Sequence, residues 1–247
     1  QSIDEYDAVD SAYIIQDTAG NVLGDTGTIL DGGVDQVDVT STASANIGVA
    51  LGGLEDSLEI GYSSDISFTV SDDANAIAGV LSQGDELDNA EDVDVVGGTI
   101  NVAEAALVQS IDEYDAVDSN YDIEDNAATL LSTTGQDAVV DSGVDQVFVA
   151  DSSVDAGVGA ELNDLELALE GVGGTDIDFT VTDTAGAVAS ELSAMTGDEL
   201  DAANDVNVVG GTINVAEAAL VQSIDAYDNI DSDYDIEDNA SAILSTT

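Results

Sequence analysis

Val95-Val-Gly-Gly-Thr-Ile-Asn-Val-Ala-Glu-Ala-Ala-Leu-Val-Gln-Ser-Ile-Asp112 returns without a change at Val208 to Asp225. The chain is therefore a repeat, and its motifs have to be read as members of a set. The end of the same stretch also opens the chain, since Gln1-Ser2-Ile3-Asp4 matches Gln109-Ser110-Ile111-Asp112. Matched landmarks give one period of 108 residues, Ser2 to Ser110, and a next of 113, Ser110 to Ser223. They divide the sequence into repeat units 1–109 and 110–222 and the start of a third at 223–247. Leu244-Ser-Thr-Thr247 matches Leu131-Ser-Thr-Thr134, so the sequence reads as an excerpt from a longer array.

A finer repeat lies inside, an aromatic residue followed by β-formers and then Asp-x-Ala. It begins at Tyr13, Phe68, Tyr121, Phe179 and Tyr234, at spacings of 55, 53, 58 and 55. Between these lie Val37-Asp-Val39, Val93-Asp-Val-Val96, Val147-Phe-Val149 and Val206-Asn-Val-Val209, which makes nine strand starts about 28 residues apart. Most intervals hold a short Ala/Leu-rich segment with apolar residues three or four apart, the spacing of a helix face. In the opening stretch Val95-Val96 ends a strand, Gly97-Gly98 turns a corner, and Ile100, Ala103, Ala106, Leu107 and Ile111 share one helical face. Asn101 with Glu104 three residues later forms a capping-box pattern, and the Asp of each Asp-x-Ala is placed to cap the helix that follows.

About 28 residues per step leaves no room for a hairpin partner. The expected fold is thus an α/β repeat solenoid, with parallel strands stacked in coils of about 28 residues and short helices between them. The alternatives are a string of small α/β domains of about 110 residues each, and strand-only β-helix coils.

The chain carries 54 Asp and Glu over 247 residues and no Lys, Arg, His, Cys, Pro or Trp, for a formal charge of −54. No side-chain ion pair is possible, and every counter-charge must come from outside. Because 44% of the residues are hydrophobic and recur in register, an ordered chain is expected. Self-repulsion opposes its compaction in dilute buffer, and salt screens that repulsion beyond about 8 Å at physiological ionic strength. The composition also excludes function classes. Nucleic acid binding needs Lys and Arg against phosphates, anionic lipid surfaces are disfavoured, and nucleophile–His pairs, His/Cys zinc sites and Gly-Lys-Ser/Thr phosphate loops each lack an indispensable residue. No apolar run reaches the roughly 18 residues of a membrane span.

Carboxylate chemistry remains. The densest cluster precedes the Tyr-led strand: Asp112, Asp115, Asp118, Asn120, Asp122, Glu124 and Asp125, repeated as Asp225, Asp228, Asp231, Asp233, Asp235, Glu237 and Asp238. Hard oxygen ligands at this density suit Ca²⁺. Asp231-x-Asp233-x-Asp235 resembles the start of an EF-hand loop, but Ile236 stands where the glycine is required and Ala242 at the twelfth position, so an EF-hand is rejected. The competing reading is a solvated strand face, with Tyr234 and Ile236 inward and Asp235 and Glu237 in water. The first copy carries Ala12, Ile14 and Gln16 at acidic or amide positions. Gly-containing corners at Asp31-Gly-Gly-Val-Asp35, Ser142-Gly-Val-Asp145 and Gly173-Gly-Thr-Asp176 form a second candidate set for metal or for tight turning. The recurring Tyr residues read as core packing with a hydroxyl at a polar edge, in preference to a sugar-binding surface.

Val-x-Val-x-Gly-Thr-x-x-Val-Ala-x-Ala followed by Tyr-Asp-Ile-x-Asp-x-Ala-x-x-Leu resembles repeats of very large secreted bacterial surface proteins, including S-layer-like proteins and RTX-type adhesins. The resemblance implies export to the extracellular space or cell surface, an extended array and calcium dependence. The functional expectation is a structural segment of a filament, surface layer or adhesin stalk, stiffened by calcium or high salt and associating with itself or with neighbouring repeats. The alternative is a binding module presenting a repeated face to glycans or basic partners. An enzyme is not expected, because a catalytic carboxylate pair should occur once beside a cleft, whereas these clusters recur one unit later.

Overall fold

The computed structural model describes residues 13–30, 34–61, 65–84, 86–170, 175–194, 200–227, 229 and 231–244, the side chains of 28, 59–61, 170 and 194 excepted. The protein is an α/β chain whose strands pair in parallel with helices between them. It divides into two compact units, Gln1–Tyr121 and Asp122–Thr247. This division falls twelve residues after the sequence-repeat boundary at 109/110 and passes inside a strand.

In the first unit β1 (Tyr13–Asp17), β2 (Val34–Val39) and β3 (Asp65–Ser67) form one sheet in that order, and β4 (Thr69–Asp72) pairs with β5 (Asp92–Ile100). The helices are α1 (Ala19–Gly24), α2 (Thr26–Ile29), α3 (Ala45–Gly61), α4 (Ala74–Leu81) and α5 (Val102–Val108). The boundary strand β6 (Asn120–Asp125) follows. The second unit continues with α6 (Ala127–Leu130), α7 (Thr133–Val139), β7 (Val144–Val149), α8 (Ala156–Glu170), β8 (Asp176–Asp178), β9 (Thr180–Asp183), α9 (Ala185–Ala194), β10 (Asp205–Ile213), α10 (Val215–Val221), β11 (Asp233–Ile236) and α11 (Ala240–Leu244). Here β7 pairs with β8, and β10 lies between β9 and β11. Strand lies at seven of the nine positions read from the spacing and on both sides of the other two, Phe68 and Phe179.

The aromatic at two of those positions interrupts its strand. Phe68 separates β3, which pairs back to β2, from β4, which pairs forward to β5. Phe179 does the same between β8 and β9. Both rings are buried. The Phe179 amide donates to Asn204 Oδ1 and its carbonyl accepts from the Asn204 amide, each at 2.9 Å, so the break leaves no backbone group stranded.

The longest helices, α3 and α8, were not legible as such from the spacing. Leu51, Leu54 and Leu58, and Leu162, Leu165 and Leu169, are the buried stripe of each at helical spacing. Gly48 and Gly159 let these helices close onto the neighbouring strands. A Cβ at Gly48 would stand 2.6 Å from Val70 Cγ2, and one at Gly159 2.6 Å from Val181 Cγ2.

Three local expectations are corrected. Gly97-Gly98 does not turn a corner, because β5 runs through it to Ile100. Both glycines have positive φ, 82° and 94°, as do Gly210 and Gly211 in β10. There Val209 faces Asp233 and Thr212 faces Asp235, so three steps on β10 match two on β11, which is a bulge. The helical face after it is Val102, Ala105 and Val108, while Ala103 and Leu107 are exposed. Ile100 is the last residue of the strand, and counting it into the helix rotates the face by one residue. The Asp of Asp-x-Ala is not the cap either. The middle residue takes that place, with Asp73 accepting from the Ala76 amide and Asn126 from the Thr129 amide. The Asn101 capping box is as expected, with the Glu104 amide to Asn101 Oδ1 at 3.0 Å and the Asn101 amide to Glu104 Oε2 at 3.1 Å.

Gly159→Ala should lower stability by about 1–3 kcal/mol through overpacking against Val181. Gly186→Ala, in α9 with nothing within 4 Å of the added methyl, should leave stability unchanged or raise it by about 0.5–1 kcal/mol. Denaturant midpoints of the two variants in concentrated salt check the contrast.

Candidate functional site

The carboxylates at the strand ends have no cation on the chain to face, and they turn to backbone amides. One oxygen of each binds the amide of the next residue: Asp72 Oδ1 from Asp73, Asp125 Oδ1 from Asn126, Asp183 Oδ1 from Thr184 and Asp238 Oδ1 from Asn239, at 2.6–2.9 Å. The second oxygen reaches back to an earlier helix. Asp72 Oδ2 accepts from the Ala45 amide at 3.0 Å and Asp183 Oδ2 from Ala156 at 3.1 Å. Asp238 Oδ2 accepts from Val215 at 3.4 Å. Asp151 Oδ2 takes the Ala127 amide at 2.8 Å, and Ser41 Oγ takes Ala19 at 3.1 Å.

In each case the donor is the first residue of a helix and the acceptor lies in the next strand–helix module, 22 to 27 residues on. An anion at a helix N-terminus satisfies an orphan N–H and meets the positive end of the helix dipole. Where the following strand is β5 or β10, the Gly-Gly bulge occupies this place. A Cβ on Gly98 would stand 3.2 Å from the Ala74 nitrogen, and one on Gly211 3.4 Å from that of Ala185. Side-chain amides neutralise further carboxylates by hydrogen bonding. Gln16 Nε2 donates to Asp38 Oδ2 at 2.9 Å, Gln146 Nε2 to Asp178 Oδ2 at 2.6 Å and Asn204 Nδ2 to Asp178 Oδ1 at 3.0 Å. Asn21 Nδ2 and the Thr18 amide hold the Asp17 carboxyl below the ordinary carboxylate range, against a small opposing effect of burial.

The cluster singled out in the sequence is distributed along this frame. Asp112 and Asp118 are exposed in the return between α5 and β6. Asp115 Oδ1 accepts from the Val117 amide at 2.8 Å, and the Asp115 carbonyl accepts from Ser119 Oγ. Along β6, Asn120 and Glu124 are exposed and Asp122 is partly so, while Tyr121 and Ile123 are buried, which is the alternation of a half-wet strand. The Tyr121 hydroxyl accepts from Gln109 Nε2 at 2.7 Å, as packing with a polar edge requires. Asp125 turns to the Asn126 amide. In the second copy Asp225, Asp231, Asp233, Asp235 and Glu237 are exposed, Asp238 binds the amides given above, and Asp228 lies outside the described residues. The Asp225 amide donates to Asp201 Oδ1 at 3.2 Å. Among the described residues no group of three or more acidic side chains is gathered in a metal-holding arrangement. Of the Gly-containing corners, Ser142-Gly-Val-Asp145 is a turn closed by the Gly143 amide on Asp141 Oδ1, and parts of the other two lie outside the described residues.

What the sequence did not reveal is that two carboxylates near the return each keep one oxygen unsatisfied, as Asn207 Oδ1 does in the second copy. Asp94 Oδ1 and Glu113 Oε2 are buried without a hydrogen-bond partner. Burial pushes the Asp94 carboxyl above the ordinary range, with Asp92, Asp118 and Asp115 adding repulsion. Burial, then Asp88 and Asp112, do the same to Glu113. The second copy replaces these residues by Asn207 and Ala226. That inequality between copies was the available signal. The return itself is pinned alike in both, by parallel bridges of Val93 to Tyr114 and Val206 to Tyr227 and by Ser119 and Ser232 accepting the Val95 and Val208 amides.

The site is thus an acid-rich hydrogen-bonding frame at the strand ends of an α/β fold. No family model matches the sequence, and no curated protein matches it.

Asp94→Asn, which copies Asn207, should raise stability by about 1 kcal/mol at neutral pH, since an ionised carboxylate without a partner is replaced by a neutral amide. Because the folded-state pKa is raised, this penalty is present at pH above it and is relieved as pH falls towards the ordinary range of about 4. The wild-type chain should gain stability over that descent at this residue and the variant should not, as read by melting at each pH in constant salt. Asp183→Ala, which strips both the Thr184 and Ala156 amides of their acceptor, should cost about 1–2 kcal/mol. Asp183→Asn should fall between it and the wild type in the same melts.

Proposed function

We propose that the chain is a structural segment of an extracellular or cell-surface array, such as a filament, surface layer or adhesin stalk. Its modules stack as coils of a continuous α/β solenoid that calcium or concentrated salt stiffens. The observation that carries this reading is the repeated hydrogen bond from a helix's first amide to a side chain of the next module, present at Ala19, Ala45, Ala127, Ala156 and Val215. A contact that joins a module to its successor at five steps is what a quasi-one-dimensional stack needs, whose stability grows by nearest-neighbour interfaces. Of the five, the bond from Val215 to Asp238 crosses a repeat boundary, at 222/223, which a string of domains divided there would not need.

The rest of the reading follows from charge. A formal −54 with no basic side chain leaves the exposed carboxylates of β6, β11 and the returns without an internal counter-ion. External cations are then part of the folded state, and binding to it alone stabilises it by mass action. Divalent ions suit these oxygen ligands, and export places the chain where they are plentiful. No helix among the described residues is long and apolar enough to cross a membrane. The recurrence of each cluster supports a structural role over catalysis.

Melting temperature followed by circular dichroism against calcium, with magnesium and sodium as controls, tests the proposal. Calcium at millimolar levels should raise the melting temperature well above that in sodium chloride of matched ionic strength, and chelator should reverse it. A melt that neither calcium nor salt moves would sink the stiffening, while equal recovery in any concentrated salt would reduce it to screening. Retention on glycans or on cationic proteins at physiological salt would favour the binding-module alternative.

A further inference from the structure

The last strand–helix module exposes an apolar face that its counterpart one repeat earlier buries. Ile236 and Ile243 are each 46% exposed and Leu244 74%, whereas Ile123 and Leu130, 113 residues before the first two, are 0% exposed. Ala240 is exposed and Ala127 buried. The exposed residues are not scattered. Ile236 and Ile243 line, with Val215, Ala218, Ala219 and Gln222, a groove of about 390 Å³. A face of this kind on an otherwise acidic surface marks a contact.

The second unit itself displays what covers such a face. The Asp122–Asp125 part of β6 neighbours β7, and α6 packs on α7. Two hydrogen bonds fix the register: the Ala150 amide donates to the Asp125 carbonyl, and the Ala127 amide to Asp151 Oδ2, both at 2.8 Å. The corresponding groups of the last module are the Asp238 carbonyl and the Ala240 amide, and neither has such a partner among the described residues.

We propose that the groove of Val215, Ala218, Ala219, Gln222, Ile236 and Ile243 is a docking face for one more coil of the α7–β7 kind, seated in the register that Leu131–Val154 takes on β6 and α6. The claim rests on the stacked-array reading above and adds to it the occupant and its register. The occupant presents a valine-rich strand of the Val144–Val149 pattern to Ile236 and a helix of the Thr133–Val139 pattern to Ile243. Its acidic corner, like Asp151, faces the Ala240 amide. A second copy of this chain is the competing occupant, and the test below separates the two.

The test appends a second copy of Gly135–Glu170 directly after Thr247, which preserves the repeat phase because Leu244–Thr247 already matches Leu131–Thr134. Hydrogen exchange by mass spectrometry is read over residues 233–244, with β10 as internal reference, in saturating salt. The expected result is at least tenfold slower exchange over 233–244 in the extended chain. Val147→Asp placed in the appended copy should remove that protection while leaving β10 unchanged. An appended segment that exchanges as unfolded chain over a protected β10, with 233–244 unaltered, overturns the proposal. So does sedimentation of the unextended chain as a dimer that Ile236→Asp dissolves, which would give the groove to a second copy. Insensitivity of β10 to calcium and salt would fail the cation reading alone and leave the docking result standing.

Discussion

Everything in this structure follows from carboxylates that have only N–H groups to face. Without a basic side chain, the positive potential inside the molecule comes from backbone amides, above all those at helix N-termini, and from the amides of Asn and Gln. The sequence places an Asp at the strand end, and the helix that follows starts within two residues. Carboxylates and helix N-termini are therefore gathered at the same ends of the strands, where their interaction is favourable. An arrangement that would be incidental in a protein of mixed charge recurs here from module to module, beside the strand pairing and the buried core.

The bulged strands show how strictly that end of the fold is occupied. Where Asp72 or Asp183 caps the preceding helix, the strand stops at the carboxylate. Where β5 and β10 pass the same place, two glycines at positive φ bring the strand itself against the amides of Ala74 and Ala185. A side chain is absent there because the backbone fills its position. The same economy explains Gly48 and Gly159, which allow long helices to lie directly on Val70 and Val181.

Much of the fold was legible in the sequence and the links between its parts were not. Strand positions follow from alternating Val and Ile after an aromatic, and the Asn101 capping box follows from two residues three apart. Both are local patterns. The helical face after Asn101 was read one residue out because Ile100 fits either a strand end or a helix start, and only sheet pairing decides between them. The stripes of α3 and α8 were hidden by glycines that lower helix propensity yet are required by close packing. The capping carboxylates join residues 23 to 27 apart, a distance at which donor and acceptor leave no mutual signature. The acidic cluster was visible as composition, but composition does not reveal that Asp125 and Asp238 are turned to amides while Asp112 and Asp231 remain in water.

The return before the Tyr-led strand follows the same path in both copies, yet Asp94 and Glu113 have Asn207 and Ala226 as counterparts. In the first copy this segment holds two carboxylates that each keep one oxygen buried without a partner. The second closes over a neutral amide and a methyl group. The two returns are therefore alike in backbone and unlike in the acids they enclose. Near-identical neighbours thus cease to be interchangeable, and the repeat acquires a polarity along the chain.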